Sequence, residues 1–433
     1  MHAPAHRHAF VKPPRAARRP SIATWHSVEL VDDYAWLKAA NWQDVMREPA
    51  VLDPEIRAYL DAENAYCEAQ LAETRGLQDD LFGEMRSRLK EDDSSVPSPD
   101  GPFAYYTGFI AGGQYPLVSR RGRSGGDETV LLEGNVEAEG KPYWDLGGFQ
   151  HSPDHRLLAY ACDDKGSELY TIRFRDLATG LDLTDSIPDT RGGVVWANDS
   201  KTIFYVRLDD HHRPLLVYRH VVGTPVEDDV LVYAEKDIGF YVAISSTQSS
   251  KFVIIDAHDH QTSEARLIDA DAPLTEPRVV EPRKVGHEYS VEHHGDKLII
   301  TTNSHAAEDF RVVETPVAAT GMANWQELIP HRPGCLVLDT ILYRQHMVRL
   351  ERENGLPRIV VRRLADGDEH VIDFPEEAYS LGISPGYEFD TPTIRFVYSS
   401  MTTPAETYDY DMQTRERTLR KRQQVPSGHN ASD

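Results

Sequence analysis

A serine set among glycines is the first feature of this sequence that could do covalent chemistry. Gly122-Arg123-Ser124-Gly125-Gly126 matches the G-x-S-x-G pattern, in which a serine on a sharp strand-to-helix turn attacks a carbonyl beside backbone N–H donors. That geometry requires an apolar strand before the serine and a helix after it. Here Ser119-Arg120-Arg121 precedes the motif and Asp127-Glu128-Thr129 follows it, so the context predicts a charged surface loop and not a nucleophile.

Metal chemistry would need imidazoles that converge. Histidines pair at His211-His212, His258-x-His260 and His293-His294, but adjacent residues on a strand point to opposite faces and cannot share an ion. His258 and His260 would share a face, yet Asp259 and Gln261-Thr262-Ser263 place them at a hairpin tip. No H-E-x-x-H, EF-hand loop or phosphate-cradling glycine loop occurs, and solvated turns are the better reading of these histidines. The carboxylate pairs Asp163-Asp164, Asp209-Asp210 and Asp228-Asp229 fall at hairpin or loop positions. A glycosidase would need two carboxylates facing each other from separate elements, and the sequence selects no such pair. The residues therefore assign no catalytic residue, no metal ligand and no cofactor-binding residue, and no cofactor is expected.

The elements that would hold any site are written as a repeat. His151 to Gly180 contains a polar turn (Ser152-Pro153-Asp154), an apolar run from Leu157 to Ala161, a charged hairpin around Asp163 to Gly166, an alternating run from Leu169 to Phe174 and a closing turn at Thr179-Gly180. The same order returns after Asn198-Asp199-Ser200 and after Ser249-Ser250-Lys251. Anchored on their turn residues, Asp100, Asp154, Asp199, Ser249, Asp296, Gln345 and Asp390, the units recur at roughly 45–54 residues, the period of a propeller blade. Two strands are visible per unit, with room for two more. The expected fold is all-β: a seven-bladed β-propeller of four-stranded blades, preceded by an α-helical N-terminal arm. Runs such as Gly193-Val194-Val195-Trp196 and Phe240 to Ile244 are the expected innermost strands, and radial packing buries the faces that one blade alone leaves bare.

Composition bounds the rest. The chain has 433 residues, 40% of them hydrophobic and 27% charged, which suits a globular protein with more than one domain. Acidic residues exceed basic ones by 70 to 46, for a net charge of −24; this opposes nucleic-acid binding and favours cationic partners. No apolar run reaches membrane-spanning length and the first twenty residues lack an apolar signal core, so no membrane association is expected and the cytoplasm is the default compartment. Cys67, Cys162 and Cys335 are scattered and expected to be reduced.

In chain order, residues 1–20 read as a disordered basic leader, broken by Pro13, Pro14 and Pro20. Residues 21–92 read as the helical arm. Asp53-Pro54-Glu55 is a helix start, with an N-cap acceptor, proline at the first helical position and an acid in the first turn. Ile56, Tyr59, Leu60, Tyr66 and Cys67 fall near one face of that helix. A second helix is predicted over Leu77 to Lys90, with Leu77, Leu81, Met85 and Leu89 as a packing stripe. The propeller is expected over 93–422, and 423–433 reads as a linker.

Longer segments carry a resemblance. TWHSVELVDDYAWLK, NWQDV, PEIRAYLDAENAY, YYTGF, GGQYPLVSRR, LLEGN, SPDHRLLAYACDDKGSELYTI, AEDFRVVETP, GLPRIVVRRL and YSSMTTPAETYDYD together resemble the oligopeptidase B branch of the prolyl oligopeptidase family of serine peptidases (S9A), from about Ser21 to the last residue. The resemblance implies a helical arm and a propeller that precede and cap a C-terminal α/β-hydrolase domain bearing a Ser-Asp-His triad. The family pattern continues into that domain past a linker like Arg422 to His429, whereas this sequence stops at Asp433. No triad residue is therefore carried over, and the chain alone is expected to be inactive. As part of an intact serine endopeptidase, it would gate access for short peptides cleaved after Arg or Lys. The partners implied are short basic peptides and a hydrolase domain, in cis or on a second chain. The alternative is a non-catalytic propeller that binds a peptide or protein, although Trp25, Trp36, Trp42, Tyr59 and Tyr66 would then face nothing.

Overall fold

The computed structural model describes residues 12–428; residues 1–11 of the expected leader and 429–433 of the expected linker lie outside the described residues. The chain divides into two compact units, Met1–Leu89 and Lys90–Asp433.

The first unit is not all helical. Ser21–Trp25 (β1) and Val28–Asp32 (β2) pair antiparallel, because His26 and Ser27 take positive φ (50° and 65°) and so form the kind of two-residue turn whose twist matches a hairpin. Residues 12–20 have no regular structure, yet they are tied down: the Arg19 guanidinium lies 4.4 Å from the Trp36 ring centroid and pairs with Glu55, and Trp36 Nε1 donates to the Ala17 carbonyl at 2.8 Å. Three helices follow, Trp42–Arg47 (α1), Pro54–Leu71 (α2) and Arg75–Ser87 (α3). α2 starts where its cap dictates: Asp53 Oδ1 accepts from the backbone N–H groups of Glu55 at 2.8 Å and Ile56 at 3.3 Å. Of the expected apolar face only Ile56 is buried, and the stripe Leu77, Leu81, Met85 and Leu89 is exposed along its length.

The second unit is built of antiparallel sheets, and here the expected blade count is corrected. Five four-stranded blades form instead of seven, and strands from residue 145 to 234 make a single seven-stranded sheet. The units anchored on Asp154 and Asp199 are merged by one long strand, Asp182–Trp196. Its first part pairs with Tyr170–Asp176 and its second with Thr202–Leu208, with Thr190 in both pairings. The bend between the two parts needs glycine: Gly192 has φ +99°, and a Cβ on Gly148 would sit 2.8 Å from the Gly192 carbonyl oxygen. A buried polar staple holds the two parts together. His220 Nδ1 lies 2.6 Å from Asp229, His220 Nε2 lies 3.1 Å from Asp185, and Tyr205 donates to Asp229 at 2.7 Å.

Each four-stranded blade is a meander. The blades open at Ser98–Asp100, Tyr241–Ser246, Tyr289–His294, Cys335–Leu342 and Tyr379–Ser384. Apolar layers join neighbours in succession: Tyr105, Val118 and Leu132 with Leu158 and Tyr160; Val206 and Val217 with Val242 and Ile255; Phe252 and Ile254 with Tyr289 and Ile300. The series continues with Ile299 and Val312 against Leu342 and Met347, then Val348 and Ile359 against Ile394 and Phe396.

Among the described residues no such cluster joins the last blade to the first. That seam is polar. Arg395 grips Asp409 through Nε at 2.7 Å and Nη2 at 3.1 Å, while its Nη1 reaches the carbonyls of Val96 and Pro97 and the Ser98 hydroxyl at 2.8, 3.1 and 3.1 Å. Lys421 pairs with Asp93 at 2.6 Å, and a cavity of about 310 Å³ lies along the seam.

Candidate functional site: the axial channel and its mouth

A propeller places its functional groups where the first strands of its sheets converge. Here the ends of those strands meet on one cavity of about 380 Å³, lined by Asp100, Gln150, His151, Trp196, Ser246 and Gln248 among others, with Gly386 and Tyr387 from the last blade. The loop carrying Tyr387 lies across this mouth. Gln248 Nε2 donates to the carbonyls of Gly386 at 3.3 Å and Glu388 at 3.5 Å, Arg123 pairs with Glu388, and the Tyr387 ring packs edge-on against His151.

The first strands of two blades, Tyr289–His294 and Cys335–Leu342, carry carboxylates with raised pKa values. Glu292 accepts from the backbone N–H of Gln248 at 3.0 Å and of His293 at 3.3 Å. It keeps part of its surface open, yet burial pushes its carboxyl up to about 7, the charge of Asp339 adding to the rise against the two N–H donors. Burial likewise raises Asp339 above the ordinary carboxylate range. Among the described residues neither has an arginine or lysine partner in a hydrogen bond or ion pair. A nearby cation would favour the charged form of either carboxyl.

The sign of its effect on folding follows. A carboxyl whose folded pKa exceeds its unfolded value stabilises the fold at low pH, and that contribution disappears as pH rises through about 7. Glu292→Gln, which keeps an acceptor, should therefore stabilise the protein at pH 8 by up to about 3 kcal/mol, at roughly 1.4 kcal/mol per pKa unit, and change little at pH 5. Urea unfolding at the two pH values measures this; the same shift at both would show that the burial of Glu292 is not felt.

The residues singled out in the sequence do not gather. Ser124 is exposed on the hairpin between strands Leu117–Gly122 and Thr129–Glu133, with a strand where the nucleophile motif needs a helix. Asp163 and Asp209 are turn formers: Asp163 accepts from the N–H groups of Lys165, Gly166 and Glu168, and Asp209 from those of His211 and Arg213. His258 lies 3.0 Å from Asp256, His293 Nδ1 lies 2.8 Å from the Ser249 hydroxyl, and His294 donates to the Arg344 carbonyl at 2.9 Å. Glu292, beside His293, carries no sequence signal, because an isolated glutamate on an alternating strand reads as solvent-facing. The cysteines are unpaired, and among the described residues no helix is long and apolar enough to cross a membrane.

Antiparallel blades whose first strands converge on one polar cavity define a β-propeller domain. Residues 13–423 match the family described as the prolyl oligopeptidase N-terminal β-propeller domain, and the chain belongs to that family. It is 37% identical to dipeptidyl aminopeptidase BI of Pseudoxanthomonas mexicana over 98% of this chain and 60% of that protein. It is 30% identical to protease 2 of Moraxella lacunata over 94% and 58%. Among solved structures, oligopeptidase B from Leishmania major superposes with a TM-score of 0.89 at 26% identity, over 97% of this chain and 62% of that one. Oligopeptidase B from Trypanosoma brucei gives 0.88 at 30% identity over the same shares. The chain thus spans about 60% of the length of these relatives.

Proposed function

We propose that this chain is the propeller part of a serine peptidase of the oligopeptidase B type, which acts in the cytoplasm on short peptides and cleaves after Arg or Lys. The propeller limits access by size, and its acidic channel concentrates cationic peptides. The chemistry, attack by a serine to give an acyl-enzyme that water then hydrolyses, belongs to an α/β-hydrolase domain in the same polypeptide or on a second chain. The observation that carries this reading is the match of residues 13–423 to this propeller family, with the likeness to oligopeptidase B of Trypanosoma brucei; the buried carboxyls Glu292 and Asp339, without an arginine or lysine partner, add to it. The exposed stripe Leu77, Leu81, Met85 and Leu89 supports it too, since a contiguous apolar face of this kind marks a surface made to be covered.

The test expresses the locus with whatever reading frame continues beyond codon 433 and follows peptide amides ending in Arg, Lys or Ala, with free and with blocked amino termini. Turnover of Arg and Lys substrates at least about tenfold faster than Ala, abolished by a serine-directed phosphonate, is expected; tenfold is about 1.4 kcal/mol of discrimination. The relative named a dipeptidyl aminopeptidase gives a second reading, release of dipeptides from a free amino terminus, and turnover confined to unblocked substrates would select it. No turnover together with stoichiometric peptide binding would leave a recruiting module instead.

A further inference from the structure

The mouth of the channel holds a cluster that the peptidase reading does not use. Asp100, at the first turn of the first blade, faces His151 and His155, which flank the first turn of the seven-stranded sheet, and one ligand atom from each lies within 4.8 Å of the others. His151 Nε2 is already 2.6 Å from Asp100 Oδ2. His155 is oriented by its other nitrogen: Nδ1 lies 2.8 Å from the hydroxyl of buried Tyr105, whose ring stacks on His151 at 3.7 Å. His155 Nε2 makes no hydrogen bond and is directed at Gly101, where a Cβ would come within 2.8 Å of it. Gly101, at φ +52°, is therefore needed for the imidazole to enter.

We propose that Asp100, His151 and His155 bind a divalent transition-metal ion of the zinc class. Two imidazoles and one carboxylate from two sheets form a donor set suited to Zn²⁺, Co²⁺ or Ni²⁺ and unsuited to the oxygen-seeking Mg²⁺. Tetrahedral ligation places ligand atoms about 3.4 Å apart, more than the 2.6 Å between His151 and Asp100 and inside the 4.8 Å that bounds the cluster. Binding takes the place of the hydrogen bond between His151 Nε2 and Asp100, and the ring proton of a neutral His151 then sits on Nδ1. Tyr105 acts as the outer hydrogen-bond partner that fixes the orientation of a ligating histidine. Two guanidiniums border the cluster without bonding its three ligating groups: Arg120 lies over the Phe103 ring and donates to the His155 carbonyl, and Arg123 pairs with Glu388 and donates to the Gly101 carbonyl. Because Asp100 and His151 line the 380 Å³ cavity, the fourth position opens towards solvent and would take water. The ion would clip the first blade to its neighbour beside the polar seam.

The 433-residue chain, freed of metal, is titrated with Zn²⁺, Co²⁺ and Mg²⁺ by calorimetry. One equivalent of Zn²⁺ or Co²⁺, a raised melting temperature and no response to Mg²⁺ are expected. His155→Asn, which tolerates the left-handed backbone there (φ +61°), and Asp100→Asn should each weaken binding at least about 100-fold, and Tyr105→Phe roughly 10- to 100-fold, while His293→Asn leaves it unchanged. Circular dichroism checks that each variant folds. Should either ligand variant not fold, Cu²⁺ bound to the unaltered chain decides, through electron paramagnetic resonance coupling to two imidazole nitrogens. No stoichiometric Zn²⁺ binding, binding that survives in both ligand variants, or Cu²⁺ without two-nitrogen coupling would overturn the site.

Discussion

Replacing His220 with alanine should cost about 3–5 kcal/mol of folding free energy, the scale for removing one partner of a buried charged set. The side chain is fully buried between Asp229 and Asp185, whose side chains are only 3% exposed. Without the imidazole, two carboxylates would face each other in the protein interior. The loss should be pH-dependent. Burial alone would lower the pKa of His220, but hydrogen bonds and charge from Asp229 and Asp185 outweigh it and raise the value. A raised folded pKa means that the imidazolium stabilises the fold fully below the ordinary histidine value, and that this contribution is lost as pH climbs through the raised one. Urea unfolding of the parent and of His220→Ala should therefore show a wide gap at pH 6 that narrows at pH 9. An unchanged gap would mean that the histidine is neutral in the fold. Because Asp185 precedes the bend of the long strand and His220 and Asp229 follow it, hydrogen exchange in the variant should rise first where the two parts of the seven-stranded sheet join.

Arg395→Ala is the second large effect expected, about 3 kcal/mol, since each hydrogen bond of a charged group contributes roughly 1.5–3 kcal/mol and partial solvation trims the sum. Its side chain is 13% exposed and makes five hydrogen bonds, two to Asp409 and three to the 96–98 segment. Apolar layers join the other consecutive sheets, whereas Arg395 shares the seam with Lys421–Asp93, Arg123–Glu388 and the Tyr105–Tyr387 ring contact. Arg395→Lys should recover little, because an ammonium cannot reproduce the planar two-pronged grip while also reaching two carbonyls. Amide exchange in strands Phe103–Gly108 and Thr393–Ser400 reports seam opening; protection there equal to the parent's would show that the ring closes by other means.

Much of the propeller was legible because its period is written in residues that turns demand. Asp154, Asp199 and Ser249 recur at blade spacing, and Asp199 and Ser249 make the local side-chain bonds that turns of this kind need. The helix start at Asp53 was legible for the same reason, since a cap bonds to its own neighbours. The hairpin Ser21–Asp32, inside the segment expected to be helical, depends on positive φ at His26 and Ser27, a conformation that neither residue type advertises. The sheet count was misjudged because each repeat was assumed to end its own sheet. Asp182–Trp196 continues through Pro188 and Gly192-Gly193, residues that read as breakers but here only bend the strand.

The candidate sites were hidden for a different reason. Glu292 and Asp339 are 47 positions apart, and Asp100 and His151 are 51 apart; nothing local marks either pair. By itself the sequence determined the all-β repeat, the acidic balance and the family, because periodicity, composition and long segments are properties of the chain read in order. Only the tertiary structure decided which repeats merged, where the ring is sealed by charge, and which carboxylates and imidazoles meet. Those depend on desolvation and on distances between strands remote in sequence, and both come into being only when the ring has closed.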